Sequence, residues 1–200
     1  MLVFSGNAMK TRESGMQDEE WWQSFFDLEG ILIELGLDIT CRVVVDMGSG
    51  YGTFAIPAAP QIRGTVYAID FDPQMEAVCQ AKAEAAGLKN VICQKRDIVA
   101  QGTGLPDQSV DFVMLFNILH GELPVDLLEE AHRTLIPGGK VGVIRWNYDT
   151  TTLRGPSMEI RSRPKQCQDW VQIAGFQLIR PLIPLPPYHY GIAGQKNKIG

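Results

Sequence analysis

The sequence predicts an α/β domain in which helices cover both faces of a parallel sheet. From residue 43 onward, short runs rich in β-branched residues alternate with longer helical patterns, and this alternation is typical of parallel sheets. The run at 110–117, VDFVMLFN, is apolar almost throughout, as expected of a central strand buried on both faces. With a hydrophobic content of 45%, a chain of 200 residues is able to bury a core of this kind.

Five strands are predicted in the alternating region and two more near the C-terminus. The five lie at 43–47, 65–70, 90–97, 110–117 and 140–146, and helices are predicted at 72–87, 125–135 and 164–175. We interpret the Pro-Gly-Gly at 137–139 as a helix stop and a turn. The last two strands, at 175–185 and 188–196, are joined through two prolines, and proline-rich segments of this kind belong at a sheet edge.

An amphipathic helix is predicted before the sheet, at 18–36. Its acids lie in the first turn, where the helix dipole favours them, and its apolar residues recur at helical spacing. These apolar residues are Trp21, Phe25, Leu28, Leu32 and Leu35. We expect the helix to pack on the sheet, and the alternative is a lid over the active site that uses Trp22 or Phe26. The chain then divides into a leader and helix at 1–36, with Met1 or Met9 as the start, and one domain at 37–200.

Composition narrows the class of protein. The net charge of −5 counts against a stand-alone nucleic-acid binder, which usually has a basic face. No apolar run approaches the roughly 20 residues of a membrane helix, and the N-terminus lacks a secretory signal pattern, so no membrane partner is expected. None of the four cysteines forms a CxxC pair, which favours reduced, mostly buried thiols in a cytoplasmic protein and no bound metal.

The glycine-rich stretch after the first strand does not fit the known phosphate-binding patterns. Gly48, Gly50 and Gly52 stand at alternate positions, and glycines there let a ligand approach the backbone closely. The dinucleotide pattern G-x-G-x-x-G would need a glycine where Thr53 stands, and no G-K-[ST] follows for a P-loop. Both phosphate interpretations are therefore weak.

Two carboxylates indicate a different ligand. Asp46, at the mouth of the glycine loop, would repel a pyrophosphate but attract an ammonium or sulfonium group. Asp70 ends the second strand, 18 residues after Gly52, where an acid can accept hydrogen bonds from both hydroxyls of a ribose. S-adenosylmethionine (SAM) carries a sulfonium, an ammonium and a ribose, and therefore suits both carboxylates.

Five motifs in order resemble those of the class I SAM-dependent methyltransferases. They are VVVDMGSGYG, AIDFDPQM, KRDIV, LPDQSVDFVMLFNILH and RTLIPGGKV. The resemblance covers roughly residues 43–147 and is strongest to the small-molecule group that includes the ubiquinone and menaquinone biosynthesis methyltransferases. It implies a Rossmann-like fold with a seven-stranded, mostly parallel sheet whose last strand is antiparallel.

The resemblance also implies roles for individual residues. In the donor site, Asp46, Gly48, Ser49 and Gly50 would cradle the methionine part of SAM, and Asp70 would bind the ribose. Phe71 and Met75 would pack on the adenine, with Asp97 and the Ile98 N–H bonding its edge, and Asn117 would lie near the amino-acid end and the transferred methyl. The alternatives are a helix cap for Asp46, helix–strand packing for Gly52, a loop acid for Asp70 and a solvated acid for Asp97.

The acceptor side is less determined by the sequence. His120 follows the fourth strand and is a candidate base, Trp146 and Tyr148 could wall an acceptor pocket, and His189 lies on the end hairpin. The segment 145–165 has a local charge of +3, from five cations and two acids, and includes Arg154. An acceptor with a carboxylate or phosphate is the hypothesis this charge suggests, and a solvated loop is the alternative.

The function predicted is methyl transfer from SAM to a small molecule, with S-adenosylhomocysteine (SAH) as the product, in a monomer or homodimer. A SAM-binding protein without transferase activity remains an alternative. An RNA methyltransferase is a second one, through the basic segment at 145–165. An aminopropyl transferase is disfavoured because the paired acids that would hold a polyamine are absent from the sequence.

Overall fold

A computed structural model describes residues 27–120, 123–152 and 155–198. Within these residues the strands, in chain order, are β1 (Val43–Met47), β2 (Thr65–Asp70), β3 (Val91–Lys95), β4 (Val110–Phe116), β5 (Leu135–Trp146), β6 (Phe176–Leu185) and β7 (His189–Lys196). The helices are α1 (Leu28–Leu35), α2 (Ala55–Ala58), α3 (Pro73–Ala85), α4 (Ile98–Gln101), α5 (Pro124–Thr134) and α6 (Pro164–Ile173). Two short 3₁₀ turns lie at Ala59–Gln61 and Met158–Ile160.

The seven strands form one sheet in the order β3-β2-β1-β4-β5-β7-β6. Neighbours from β3 to β5 pair in parallel, and β7 runs antiparallel to both β5 and β6. The predicted α/β class and the antiparallel last strand are thus confirmed. The strand order reverses between β1 and β4, and ligands of open α/β sheets bind beyond the carboxyl ends of the strands at such a point.

The sheet separates two hydrophobic clusters, one on each face. Val44 and Met114 face the cluster that contains α1, α2 and α3, while Val45 and Val113 face the cluster that contains α5 and α6. Strands β1 and β4 are apolar on both sides because helices cover both sides, as the sequence predicted. The carboxylate of Asp111 accepts hydrogen bonds from the backbone N–H groups of Arg42 and Val43 at the start of β1.

Helix α1 packs on the sheet. Leu32 and Leu35 are fully buried, and an added Cβ at Gly142 of β5 would lie 3.2 Å from the Cβ of Leu35, so the glycine allows close contact. Asp27 caps the helix by accepting from the N–H of Gly30, and the helix ends before a glycine with positive φ. The aromatic residues of the predicted lid, Trp22 and Phe26, lie outside the described residues, as does the 1–26 part of the leader.

Strand β5 begins earlier than predicted. The sequence placed its start at residue 140, after the Pro-Gly-Gly turn, whereas the strand already pairs at Leu135 and incorporates the turn as an irregularity. Val110 of β4 pairs with Leu135 and Phe112 with Lys140, so several residues of β5 bulge between the two pairs. Gly138 takes up the turn with a φ of +83°. The helix does end before this segment, at Thr134, but the predicted turn at 137–139 is a bulge within β5.

Strand β6 lies at the edge of the sheet, as its prolines predicted. Its register with β7 shifts twice, between Leu178 and Arg180 and between Arg180 and Ile183.

Three of the four cysteines are buried, and all four are free thiols. Among the described residues, no helix is long and apolar enough to cross a membrane.

Candidate active site

The glycine loop that follows β1 is held tightly against its neighbours. Gly48 and Gly52 both have a φ of +76°, which side-chain-bearing residues rarely adopt. A Cβ at Gly48 would lie 2.6 Å from Cγ2 of Ile118, and one at Gly52 would lie 2.6 Å from Sγ of Cys79. The N–H of Gly48 donates to the carbonyl of Ile69 at the end of β2 (2.8 Å). The loop therefore presents bare backbone at the end of β1, between the ends of β2 and β4.

Two buried carboxylates lie beside this loop. Asp46 in β1 is 3% exposed and Asp70 at the end of β2 is 8% exposed. Burial raises the pKa of Asp46 to about 7, and the charge of Asp70 contributes in the same direction. Neither carboxylate forms an ion pair with another described residue. The site thus concentrates negative charge that no described cation balances, and a positively charged ligand would be stabilised there.

Asp70 also positions the loop. Its Oδ2 accepts from the N–H of Gly50 and its Oδ1 from the N–H of Asp72, both at 2.9 Å. Burial raises the pKa of Asp70, and these two backbone hydrogen bonds oppose the rise. Each carboxylate oxygen retains capacity for a further donor, so the ribose interaction implied for Asp70 remains geometrically open. Ser49, also buried, donates its N–H to Ile69 and accepts from Gly52.

Asn117 and His120 stand at the end of β4, across the loop from Asp46. Asn117 has a φ of +57°, and its N–H donates to the carbonyl of Ile144 in β5 (2.8 Å). Its buried Oδ1 accepts no hydrogen bond from any described residue, and the same is true of Nε2 of the buried His120. Burial and the charge of Arg145 lower the pKa of His120 to about 4, so its imidazole is neutral at pH 7.

The residues implied for adenine binding line the carboxyl ends of β2 and β3. Phe71 is exposed, and Met75 lies half-buried in the first turn of α3. Asp97 is the N-cap of the four-residue helix α4 and accepts from the N–H of Ala100 (3.2 Å). Ile98 is the first residue of α4. Asp46 likewise accepts a backbone hydrogen bond from Ala55, the first residue of α2, so the capping contact considered for Asp46 is present there too. The adenine role of Asp97 stays a prediction.

The residues suggested for the acceptor side lie at the ends of β5 and β7. Trp146 is buried, with its ring centroid 4.3 Å from that of His189 and 6.0 Å from that of Tyr188. His189 is also buried, and burial lowers its pKa to about 3. Tyr148 is 40% exposed, and the guanidinium of Arg163 lies 4.1 Å from its ring centroid. Arg154 lies outside the described residues, and the roles suggested for all these side chains stay predictions.

Three features of the site were missed by the sequence analysis. They are the hydrogen bond from Gly50 to Asp70, the contact of Cys79 with the loop, and the burial of Arg145. Each depends on contacts between residues far apart in the chain. Only the role of Asp70 had a signal in the sequence. Asp70 stands two residues before Asp72-Pro73, and a carboxylate at such a turn can accept backbone hydrogen bonds.

The site fits SAM. A buried carboxylate with a raised pKa and a buried amide oxygen without a donor both suit an ammonium or sulfonium group, and these are Asp46 and Asn117. Gly48 and Gly52 let the loop pack tightly against Ile118 and Cys79, which fixes its backbone beside the two carboxylates. Among the described residues, no group of three or more His, Cys, Asp or Glu side chains is arranged to hold a metal ion.

Comparison with known proteins identifies the class. The methyltransferase domain family matches residues 44–139. A SAM-dependent methyltransferase from Aquifex aeolicus superimposes with a TM-score of 0.79 at 28% identity, over 89% of this chain and 93% of that one. These matches support a SAM-dependent methyltransferase and imply SAM as its cofactor.

Two curated relatives illustrate the range of the class. The demethylmenaquinone methyltransferase of Geobacillus stearothermophilus is 33% identical over 104 residues, or 52% of this chain and 41% of the relative. The aklanonic acid methyltransferase DauC of Streptomyces sp. (strain C5) is 33% identical over 85 residues, or 42% of this chain and 38% of the relative. The chain thus spans about two fifths of the length of these relatives.

Proposed function

We propose that this protein transfers the methyl group of SAM to a small-molecule acceptor that carries an acid group. The observation that supports donor binding is the pair of buried carboxylates, Asp46 and Asp70, beside the glycine-rich loop. The relatives named for methylating demethylmenaquinone and aklanonic acid support a small-molecule acceptor. The buried cation at the end of β5 supports an acidic one.

Methyl transfer from a sulfonium is an in-line displacement, so the protein mainly has to position the acceptor nucleophile about 3 Å from the methyl carbon. SAM supplies the activated methyl group. In our proposal, Asp46 and Asn117 hold its amino-acid end, while Asp70 holds the ribose and Phe71, Met75, Asp97 and Ile98 contact the adenine. Gly48, Ser49 and Gly50 form the cradle.

His120 is proposed to orient the acceptor. Because its pKa is lowered to about 4, it is neutral at pH 7, and its Nε2 can accept a hydrogen bond or the proton that a hydroxyl acceptor loses. Trp146, Tyr148, Arg154 and His189 are proposed to surround the acceptor. A cytoplasmic location and a monomeric or homodimeric state are also part of the proposal, and the free cysteines are consistent with the location.

The experiment is calorimetric titration of SAM, and separately of NADH, into wild type and Asp70→Asn. Asparagine keeps one oxygen for the loop N–H of Gly50, so the substitution tests the ribose interaction with less damage to the loop than alanine would cause. We expect micromolar SAM affinity in wild type, a loss of about 1–3 kcal/mol in the variant, and no NADH binding. NADH binding, or no binding of either molecule, would contradict the proposal.

A screen of acidic acceptors for SAH production then separates a transferase from a binder. Saturable SAM affinity without SAH from any acceptor would favour the alternative, a SAM-binding protein that acts as a sensor or partner subunit. SAH produced with RNA but with no small molecule would favour the RNA methyltransferase.

A further inference from the structure

Arg145 is a buried cation without an acid partner. It is the penultimate residue of β5 and is only 4% exposed. No ion pair between described residues includes it. The nearby titratable groups are the thiol of Cys167 and the phenol of Tyr190, and burial raises the pKa of both, so both are neutral at pH 7. A buried charge is costly unless it is paired, which makes an anion from outside the chain the natural partner.

The guanidinium is held in place by neutral groups. Its Nε donates to Oγ of Ser162 (3.1 Å), and its Nη2 donates to the carbonyl of Ile160 (2.7 Å). Oγ of Ser162 is in turn 3.0 Å from the hydroxyl of Tyr190, which faces Arg145 across the β5–β7 pair. The guanidinium also hydrogen-bonds to the side chain of Tyr190. These three contacts fix the direction of the guanidinium and leave two of its five N–H donors, which suits two-point binding of a carboxylate or phosphate.

This cation lies where the acceptor is expected. Asn117 bonds to Ile144, the residue next to Arg145, so the ends of β4 and β5 adjoin. The charge of Arg145 also reaches His120, whose pKa it helps to lower. Arg145 therefore stands beside the two residues at the end of β4 that we place near the transferred methyl group.

The other described cations of the 145–165 segment are engaged differently. Arg161 donates to the carbonyls of Pro156 and Asp149 and lies 5.5 Å from the ring centroid of Trp146, so it fastens this segment. Arg163 is exposed over Tyr148, and Lys165 pairs with Asp169. The local positive charge seen in the sequence thus divides into packed or solvated cations and one buried cation at the site.

We propose that Arg145 binds the acid group of the methyl acceptor and so makes the enzyme selective for anionic acceptors. This inference rests on the proposed function, since it concerns the acceptor of that same reaction. It assigns the selectivity to a residue of the sheet rather than to the basic loop. In this arrangement the acid group lies against Arg145 while the nucleophile of the same molecule lies towards His120 and Asn117.

The test compares an acid with its uncharged analogue. Benzoate and benzamide, and separately inorganic phosphate, are titrated by calorimetry into the full chain saturated with SAH. We expect wild type to bind benzoate about ten- to a hundredfold more tightly than benzamide, as charge-assisted hydrogen bonds would give. Arg145→Gln should lose this preference, while the control Arg163→Gln, which removes an exposed cation nearby, should keep it. Arg145→Lys retains the positive charge but not the two-point hydrogen bonding of the guanidinium, and should keep part of the preference for benzoate over benzamide.

A second readout separates binding from a purely structural role. Titration of the His120 imidazole by NMR should show its pKa rising when benzoate binds to wild type, because the acid neutralises the charge of Arg145. Equal binding of benzoate and benzamide, or no binding of either benzoate or phosphate, would overturn the inference. So would an unchanged preference in Arg145→Gln. SAH affinity that falls in Arg145→Gln would assign the residue to the cofactor instead. Loss of SAH binding in wild type would count against the proposed function itself, so the two failures are distinguishable.

Discussion

Replacing Asp46 by asparagine should make the ligand-free protein more stable at neutral pH while weakening SAM binding. The pKa of Asp46 is raised from 3.8 to about 7, so the folded state binds a proton more tightly than the unfolded state does. Stability contributed by the protonated carboxyl is complete below about pH 4 and is lost as the pH rises to about 7. The loss amounts to about 4 kcal/mol at pH 8, since each pKa unit corresponds to about 1.4 kcal/mol.

Asparagine carries no charge, so Asp46→Asn should avoid most of this loss and unfold at a higher urea concentration than wild type at pH 8. At pH 5 the difference should fall to about 2 kcal/mol, because the folded carboxyl is then protonated whereas the unfolded one, with a pKa of 3.8, is already ionised. Urea titrations at the two pH values measure the free energy of unfolding directly.

SAM affinity should change in the opposite sense. The ligand pairs with the ionised carboxylate, so binding to wild type should weaken by about 15-fold between pH 7 and pH 5.5, as expected for a site with a pKa of about 7. The variant should bind weakly at both pH values and show little pH dependence. Calorimetry in two buffers of different ionisation enthalpy would also detect the proton that wild type releases on binding.

Asp111→Asn is the matched control. This carboxylate lies at the opposite end of the sheet and bonds to the backbone of Arg42 and Val43, so its loss should reduce stability but leave SAM affinity unchanged. Our reasoning about Asp46 would be refuted if Asp46→Asn bound SAM as tightly as wild type. It would also be refuted if wild-type affinity did not vary between pH 5.5 and pH 7.

Three further predictions, tested with four substitutions, concern the site and the scaffold. Gly48→Ala should lower stability by about 1–3 kcal/mol and SAM affinity at least about tenfold, because the new Cβ would strike Ile118 at a φ of +76°. The control is Gly87→Ala, at a φ of +67° with nothing within 4 Å. It should cost about 1 kcal/mol of stability and leave SAM binding unchanged in calorimetry. Asn117→Gly should weaken SAM about tenfold without lowering the urea midpoint, since glycine suits a φ of +57° and the donor-less oxygen is removed. Burial opposes ionisation of Glu130, yet hydrogen bonds from Arg133 hold its pKa at about 2. Wild type should therefore lose about 1–2 kcal/mol of stability between pH 5 and pH 2, allowing for screening by water. Glu130→Gln should not show this loss. Thermal unfolding across that range would contradict the Glu130 assignment if the two proteins lost stability equally.

The cofactor side of the fold was largely predictable because its signals are local. The bounds of β1 and β2 were predicted to the residue, since each is an apolar run that ends at a carboxylate or glycine with a turn behind it. Asp70 and the glycine loop are adjacent in space because parallel neighbouring strands end at the same edge. Because Met47 pairs with Ile69, the residues that come after this pair along the two segments, Gly50 and Asp70 among them, come into contact.

The start of β5 and the burial of the basic segment were not predictable in this way. Arg145 and Arg161 are close in the sequence to Arg163, and a count of charges treats all three alike. Arg145 is buried because the chain turns back at Met158–Ile160 and supplies a carbonyl and a hydroxyl 15 and 17 residues away. Similarly, Trp146 meets His189 because β7 returns antiparallel beside β5. These contacts depend on tertiary structure.

The donor side and the acceptor side of the proposed site therefore lie in different parts of the chain. The family match covers residues 44–139, which include the glycine loop, Asp70, Asp97 and the end of β4, the parts of the chain to which we assign SAM in our proposal. Arg145 and the aromatic pair Trp146 and His189 lie beyond that match. A chain can alter these residues without disturbing the donor site, because they lie on strands that pair on the far side of β4 from the glycine loop. We therefore expect exchanges of the 145–165 segment between relatives to change the acceptor and to leave the SAM affinity unchanged.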